Sequence, residues 1–310
     1  MSGISAQIIK ELREKTGAGM MDCKKALEEN NGDFEQAVDW LRKKGLASAA
    51  KKAGRIAAEG LVGALVSGKK GVVAELNAET DFVARNDQFM QLTENITKQL
   101  LTSPTNDVEA LKNAQLASGS TVQEEIQNAI AVIGENMNLR RIASVSVDNG
   151  IVVSYVHNAV KDGLGKIGVL VALETQAEPE QVTTIGKQIA MHIAAAKPES
   201  LTVEELDQNL VEREKNIAAE QSRASGKPES VVEKMIEGRI RKFYEEVVLL
   251  EQVFVIDGKS KINQVLADLS KNLGKEVKIK QFVRFALGEG IEKQEANFAD
   301  EVAAAAGLKS

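Results

Sequence analysis

The segment Gly163-Leu164-Gly165-Lys166-Ile167-Gly168 carries the glycine spacing G-x-G-x-x-G, which in a dinucleotide-binding turn lets backbone amides close on a pyrophosphate. Its context is reversed. The glycines run into a strand-forming stretch, Val169 to Leu173, instead of leaving a strand and opening a helix, so a flexible hairpin loop is expected. Gly165-Lys166 is followed by Ile167, so the phosphate cradle G-x-x-x-x-G-K-[ST] is missing and hydrolysis of GTP or ATP is not expected. His157 and His192 come without paired cysteines, which disfavours a structural zinc site. His192 falls inside a helical pattern as a packed or surface residue, whereas His157 closes a strand beside a loop and suits contact with another protein. Cys23 lies between Asp22 and Lys24; a neighbouring lysine favours the thiolate, but no base accompanies it, so a small helical residue is expected.

A more unusual feature is Glu79-Thr80-Asp81-Phe82-Val83-Ala84-Arg85-Asn86, where a bulky apolar residue stands beside a carboxylate between a strand hairpin and a helix. By itself it has an ordinary reading, with Thr80 or Asp81 as N-cap and Phe82 anchoring the helix in the core.

The elements that would hold these residues follow from hydrophobic periodicity. Ile4, Ile8, Ile9 and Leu12 share one helical face that stops at Thr16-Gly17. Met20, Met21 and Lys24 to Leu27 begin a second helix, and Asp33 caps a third that carries Phe34, Ala37, Val38, Trp40 and Leu41 and stops at Gly45. In size and turn placement this bundle resembles a ubiquitin-associated-type fold. Ala47 to Ala58 reads as a linker with helical character. Leu61 to Val66 and Val72 to Leu76 form a strand pair joined by Ser67-Gly68-Lys69-Lys70-Gly71, followed by a helix with Phe82, Phe89, Leu92, Ile96 and Leu100 on its buried face.

The same order recurs. Ile151 to Val156 and Val169 to Leu173 repeat the pair, Gly71 to Asn77 aligns with Gly168 to Glu174, and a second helix carries Ile185, Ile189, Ile193 and Ala196, which indicates two related α+β halves. From Val203 a polar helical pattern places Leu206, Leu210, Ile217 and Ala224 at helical spacing. It breaks at Ser225-Gly226-Lys227-Pro228 and resumes through Val232, Ile236, Ile240 and Phe243. An antiparallel coiled-coil hairpin projecting into solvent is expected. Leu249 to Ile256 and Val277 to Leu287 read as strands around a helix from Ile262 to Leu273, and a last helix runs from Ile291 to Ala306.

Composition bounds the function. A chain of 310 residues with 43% apolar and 27% charged residues has room for two or three globular units. A formal charge of -6 without long Lys/Arg clusters disfavours direct nucleic-acid binding. The first 55 residues differ, with 11 Lys and Arg against 8 Asp and Glu, which points to an acidic partner surface there. One cysteine rules out an internal disulfide, the N-terminal stretch lacks an apolar signal region, and no run is long enough to span a bilayer. The expected location is cytoplasmic.

Two signatures then set a family. Leu12-Arg13-Glu14-Lys15-Thr16-Gly17-Ala18-Gly19-Met20-Met21-Asp22-Cys23-Lys24-Lys25-Ala26-Leu27 closely resembles the N-terminal signature of bacterial elongation factor Ts, and Thr80-Asp81-Phe82-Val83-Ala84-Arg85-Asn86 resembles its second signature. Ile133-Gly134-Glu135-Asn136 with Arg140-Arg141, Ile189 to Ala195, Glu237-Gly238-Arg239 and Gly288-Glu289-Gly290-Ile291-Glu292-Lys293 extend the resemblance along nearly the whole chain. The stretch from Thr102 to Val122, longer than in compact members, and the loop from Asn158 to Lys166 are least typical.

The resemblance implies an α+β, multidomain guanine-nucleotide exchange factor for the translational GTPase elongation factor Tu, without catalytic residues or cofactor. It implies a ubiquitin-associated-like N-terminal domain at 1–46, a linker at 47–58, and a duplicated core with antiparallel sheets whose first half is 59–145. The second half is 146–202 with 245–287, interrupted by the coiled-coil hairpin at 203–244, and 288–310 is a C-terminal module ending in a helix. Arg13, Met20, Met21 and Lys24 are expected on the partner's nucleotide domain. Thr80, Asp81, Phe82 and Val83 are expected near its Mg²⁺ site, with Phe82 wedged between partner side chains. His157, Phe298 and Val302 are weaker partner-binding positions. No nucleic acid or membrane partner is implied, and a homodimer or two-to-two complex stays open. Two rival readings exist: a ubiquitin-associated-type adaptor without exchange activity, resting on residues 4–45 alone, and a dinucleotide enzyme resting on the Gly163 loop.

Overall fold

The computed structural model describes residues 4–224 and 228–292. Three helices open the chain: α1 (Ala6–Thr16), α2 (Met20–Glu29) and α3 (Phe34–Lys52). Ser5 and Asp33 cap α1 and α3 by accepting the amides of Ile8 and Gln36, and Gly17 ends α1 in the left-handed region at φ 68°. Leu12, Cys23, Ala26, Leu27 and Ala37 close a small core between them. The expected stop at Gly45 does not occur. The Ala- and Lys-rich sequence beyond it favours helix, and Gly45 is buried where an added Cβ would lie 3.5 Å from that of Ala131. Its small size serves packing against the core instead of chain reversal.

Beyond this bundle come β1 (Glu59–Ser67), β2 (Lys70–Ala78), α4 (Asp87–Thr102), α5 (Val108–Lys112), α6 (Val122–Ile133), β3 (Met137–Ser146), β4 (Gly150–His157), β5 (Leu164–Gly165) and β6 (Ile167–Thr175). The atypical 102–122 stretch is thus occupied by α5 and a turn closed by a bridge between Gln115 and Thr121. Then follow α7 (Pro179–Ala196), α8 (Gln208–Arg223), α9 (Glu229–Val247), α10 (Ile262–Leu273) and β7 (Val277–Ala286). The fold is α+β. Among the described residues its strands make two antiparallel sheets, ordered β3-β2-β1-β5 and β4-β6-β7.

Three strands of the first sheet, β1, β2 and β3, match β4, β6 and β7 of the second, while β5 has no counterpart. Gly60 stands opposite Asn77 in the first hairpin and Gly150 opposite Glu174 in the second, with φ of 120° and 117°; a Cβ on either would strike the carbonyl of Leu76 or Leu173 at 2.2 and 2.1 Å. The ladder slips between Glu75 and Leu76 in one sheet and between Ala172 and Leu173 in the other, a bulge at the same aligned place. The sheets stack through Val62, Val73, Val152, Leu170 and Ala172. At that interface a Cβ on Gly71 would meet Val152 and Leu170, and one on Gly168 would meet Val62 and Val73, their aligned counterparts. The contact is therefore exchanged by an approximate two-fold. Helices cover the outer faces, with Phe89, Leu92, Ile96, Ile126 and Ile130 over the first sheet and Val182, Ile189, Ile193, Ile262 and Leu266 over the second.

Four expectations need correction. The Gly163 segment is no flexible loop: Leu164 and Gly165 pair with Gly63 and Val62 of β1, Leu164 is buried in the first core, and a Cβ on Gly165 would lie 2.6 Å from Val156. Its glycines let backbone and sheet approach closely, so they have no phosphate to hold. Leu249 to Ile256 form no strand. Leu249–Glu251 take a 3-10 turn because buried Gln252 turns inward, donating to the Glu246 carbonyl at 2.7 Å. On α8 the buried positions are Val211, Ala218 and Ser222, while Leu210 and Ile217 are exposed, one residue off the expected stripe. Phe82 is not part of α4 and does not anchor it. The break at 225–227 and the last helix beyond Glu292, with Phe298 and Val302, lie outside the described residues.

Candidate protein-interaction site

Phe82 is 83% exposed, although its neighbours Val83 and Ala84 are buried in the first core beside Phe89 and Leu92. Burying such a side chain is worth about 1.5 to 3 kcal/mol. That free energy is unrealised within the chain, and one residue further on the backbone is already in the core. Residues 79–86 are thus anchored on both sides of an apolar side chain held in solvent.

The anchors are specific. Asn86, not Thr80 or Asp81, caps α4, accepting the amides of Gln88 and Phe89 at 2.9 and 3.2 Å. Between them, Val83–Arg85 form one 3-10 turn, with the Arg85 amide donating to the Phe82 carbonyl at 3.1 Å. On the strand side Glu135 accepts the Thr80 amide at 2.9 Å and the Thr80 hydroxyl at 2.6 Å. Glu79 in turn accepts the Asn136 amide at 2.5 Å, and Asn136 donates to the Arg55 carbonyl at 2.7 Å. Gly134 ends α6 at φ 90°, which turns Glu135 and Asn136 toward this loop. Asp81 is exposed and makes no hydrogen bond or ion pair among the described residues.

Sulfur supplies a second apolar surface. Met20 and Met21 open α2 with exposures of 57% and 74%, on a helix whose N-cap, Gly19, offers no side-chain acceptor. Arg13 and Lys24 are exposed nearby, Lys24 at 3.7 Å from Glu28. The turn Gly17 to Gly19 borders a cleft of about 480 Å³ between the bundle and the first core half, whose far wall includes Gln88 in the first turn of α4. Arg42 on α3 reaches Glu124 on α6 at 3.5 Å and so ties the bundle to the first core half.

The other singled-out residues separate from this site. Cys23 is fully buried and burial pushes its thiol up, so the lysine effect does not carry and the small-residue reading stands. His192 is fully buried between Gln252 Oε1, 2.8 Å from Nε2, and the Val255 amide, which donates to Nδ1 at 3.2 Å. Nε2 therefore carries the proton, and burial holds the imidazole below its usual range. His157 is exposed in the second half, with the Tyr155 hydroxyl 3.0 Å from Nδ1.

Sequence reasoning quoted Arg140-Arg141 and Gly288-Glu289-Gly290 but not what joins them. Glu75, fully buried at the bulge of β2, bonds Arg140 at 3.1 Å, Arg141 at 2.5 Å and the Gly288 amide at 2.9 Å. Arg284 and Arg141 hold Glu289 below the usual carboxylate range against the opposing effect of burial. A glutamate inside an apolar strand was the available signal. Among the described residues no group of three His, Cys, Asp or Glu side chains could hold a metal, and no helix is long and apolar enough to cross a membrane.

Residues 79–289 match the family model described as Elongation factor TS. The chain is similar to elongation factor Ts of Rhodospirillum rubrum, 57% identical over 306 residues that cover 98% of this chain and 99% of that one. It is likewise similar to elongation factor Ts of Rhodospirillum centenum, 57% identical over 308 residues (99% and 100%), and of Rhizorhabdus wittichii, 58% over 305 residues (98% and 99%).

Proposed function

The chain belongs to the elongation factor Ts family of translation elongation factors, and on that premise we propose that it promotes GDP release from elongation factor Tu as a non-covalent, cytoplasmic exchange factor. The observation that supports this reading is Phe82, kept in solvent by a loop anchored on both sides. In this reading Phe82 wedges into the nucleotide domain of the partner, and Asp81, which has no hydrogen-bond or ion-pair partner among the described residues, disturbs the groups that position Mg²⁺ on GDP. Thr80 and Val83 flank the wedge. Arg13, Met20, Met21 and Lys24 grip the same domain, and His157 meets a further domain. Phe298 and Val302 keep their assignment as weaker contacts.

The domain division follows the same reading. Residues 1–46 form a ubiquitin-associated-like module, and 47–58, which begins as the last turns of α3, is its linker. The core halves are 59–145 and 146–202 with 245–287, and 288–310 is the C-terminal module. The assignment of 203–244 to a coiled-coil hairpin is supported by the pairing of Glu214 on α8 with Arg239 on α9 at 2.9 Å.

No covalent step is needed. GDP is held by backbone donors, a lysine and Mg²⁺, so a factor that prefers the distorted, empty arrangement weakens nucleotide affinity by the same ratio. A bias of ten-thousandfold takes about 5.5 kcal/mol of differential binding. One phenylalanine supplies roughly 1.5 to 3 kcal/mol, so Phe82 needs Asp81 and the methionine surface beside it. Release of a fluorescent GDP analogue from elongation factor Tu, with and without this protein, tests the proposal; an unaltered release rate refutes it.

A further inference from the structure

We infer that Glu135 is a positioning residue that keeps Phe82 presented, acting as a side-chain continuation of the β2–β3 ladder. The inference rests on the exchange reading, because it concerns how the same loop does its work. The last ladder pair joins Ala78 to Met137. Carried one and two steps further, the antiparallel register sets Glu79 opposite Asn136 and Thr80 opposite Glu135. Those are the residues that bond. Carboxylates replace the carbonyls there: Glu79 accepts the Asn136 amide, and Glu135 accepts both donors of Thr80.

The consequence is a zipper that leaves its strand geometry without releasing the chain. A backbone ladder extended past Ala78 would carry Phe82 along a strand, and an unheld loop would let the ring fold onto the core that already contains Val83 and Ala84. The clamp prevents both outcomes, so the partner does not bear the ordering of this loop at the moment of insertion. Arg55 enters the same clamp through its carbonyl, which receives the Asn136 amide group, and its guanidinium lies 3.5 Å from Glu79. The segment following α3 is thereby tied to the loop that carries Phe82.

Glu135→Ala removes both arms; Glu135→Gln keeps an acceptor for the Thr80 amide and can donate to its hydroxyl; Thr80→Val removes the hydroxyl arm only. Hydrogen–deuterium exchange of the peptide covering 79–86 should speed up at least tenfold in Glu135→Ala and stay within threefold of wild type in Glu135→Gln. With elongation factor Tu, GDP release at saturating factor should fall about tenfold for Glu135→Ala and about threefold for Thr80→Val. The half-saturating concentration should move by less than threefold, and Glu135→Gln should restore most of the rate. Unchanged amide exchange in Glu135→Ala overturns the clamp, as does an equal loss of rate in Glu135→Gln and Glu135→Ala. If Glu135→Ala does not fold, amide exchange of the 79–86 peptide in Thr80→Val decides, and unchanged exchange there overturns the clamp. A wild-type protein that leaves GDP release unchanged refutes the exchange reading instead, while the amide exchange still judges the clamp.

Discussion

The two halves of the core use one backbone plan to different ends. Strand pairing, bulge position and the strand-opening glycines coincide, yet the chain leaving β2 takes residues 79–86 to reach α4, whereas the chain leaving β6 reaches α7 through residues 176–178 alone. At the place aligned with Thr80 stands Ala177, whose amide is satisfied locally by Thr175 Oγ1 at 3.1 Å. Where one half presents an exposed aromatic on a clamped loop, the other turns directly into its helix. A scaffold can be repeated without its site, because the site sits in a connection that the sheet positions but does not dictate.

Packing differs in a complementary way. Gly63 on β1 leaves room for the Thr97 hydroxyl of α4, which would lie 2.2 Å from an added Cβ. The aligned strand residue in the second half is Val153, and there the helix supplies the glycine, Gly186, with an added Cβ 3.0 Å from Val153 and 2.8 Å from Leu173. The small residue has changed sides of the interface. Likewise Glu75, buried under two arginines, aligns with Ala172, which lies in the apolar contact between sheets.

The largest test of this contrast is Glu75→Ala, which gives the first half the residue of the second. Arg140 and Arg141 then lose their shared carboxylate, and the protein should be destabilised by about 4 kcal/mol in chemical denaturation, slightly less if their partly exposed ends rehydrate. Next is Gly63→Val, expected to cost about 3 kcal/mol through overpacking against Thr97, with a sizeable part recovered by Thr97→Gly. Strict additivity of the two changes would show that the exchanged small residue is incidental. Phe82→Ala should lower GDP release from elongation factor Tu by roughly thirtyfold, corresponding to about 2 kcal/mol. Since Phe82 is exposed, the unfolding midpoint should hardly move; a matching loss of stability would contradict its role as a presented side chain.

The smallest effect concerns pH. Among the described residues the second half holds the one buried histidine, His192, whose imidazole is kept neutral by burial. The unfolded chain therefore binds this proton more readily, so the contribution is complete above the ordinary value of 6.5 and is lost as pH falls below it toward the lowered folded value. Amide exchange at pH 5 should loosen the segment around Gln252 and Val255 before the first half responds. His192→Gln should flatten that difference; equal loosening of both halves would assign acid sensitivity elsewhere.

Much of this fold was legible along the chain. Alternating β-branched residues around Gly68 and Gly71 announced the first hairpin, and the aligned glycines announced the second. Apolar spacing placed α4, α7 and α10. Periodicity works there because each element buries a continuous face. It failed at Phe82, for apolarity by itself says that burial is favourable but not that a partner within the chain is in reach. It failed at Leu249 to Ile256 as well, where the inward turn depends on Gln252 meeting His192 from a helix 60 positions away.

The paired hairpins, the helices that follow them and the family membership were thus determined by the amino-acid sequence, since they rest on local spacing and on motifs that keep their register, whereas α5, α6, β3 and β5 were not read from it. The fate of individual side chains was decided only in three dimensions: Phe82 in solvent, Glu75 inside, Glu135 on Thr80, the Gly163 segment in a sheet. Each of these depends on contacts between residues far apart in the chain, and such contacts exist only once the sheets have stacked and their ladders have set which residues face each other.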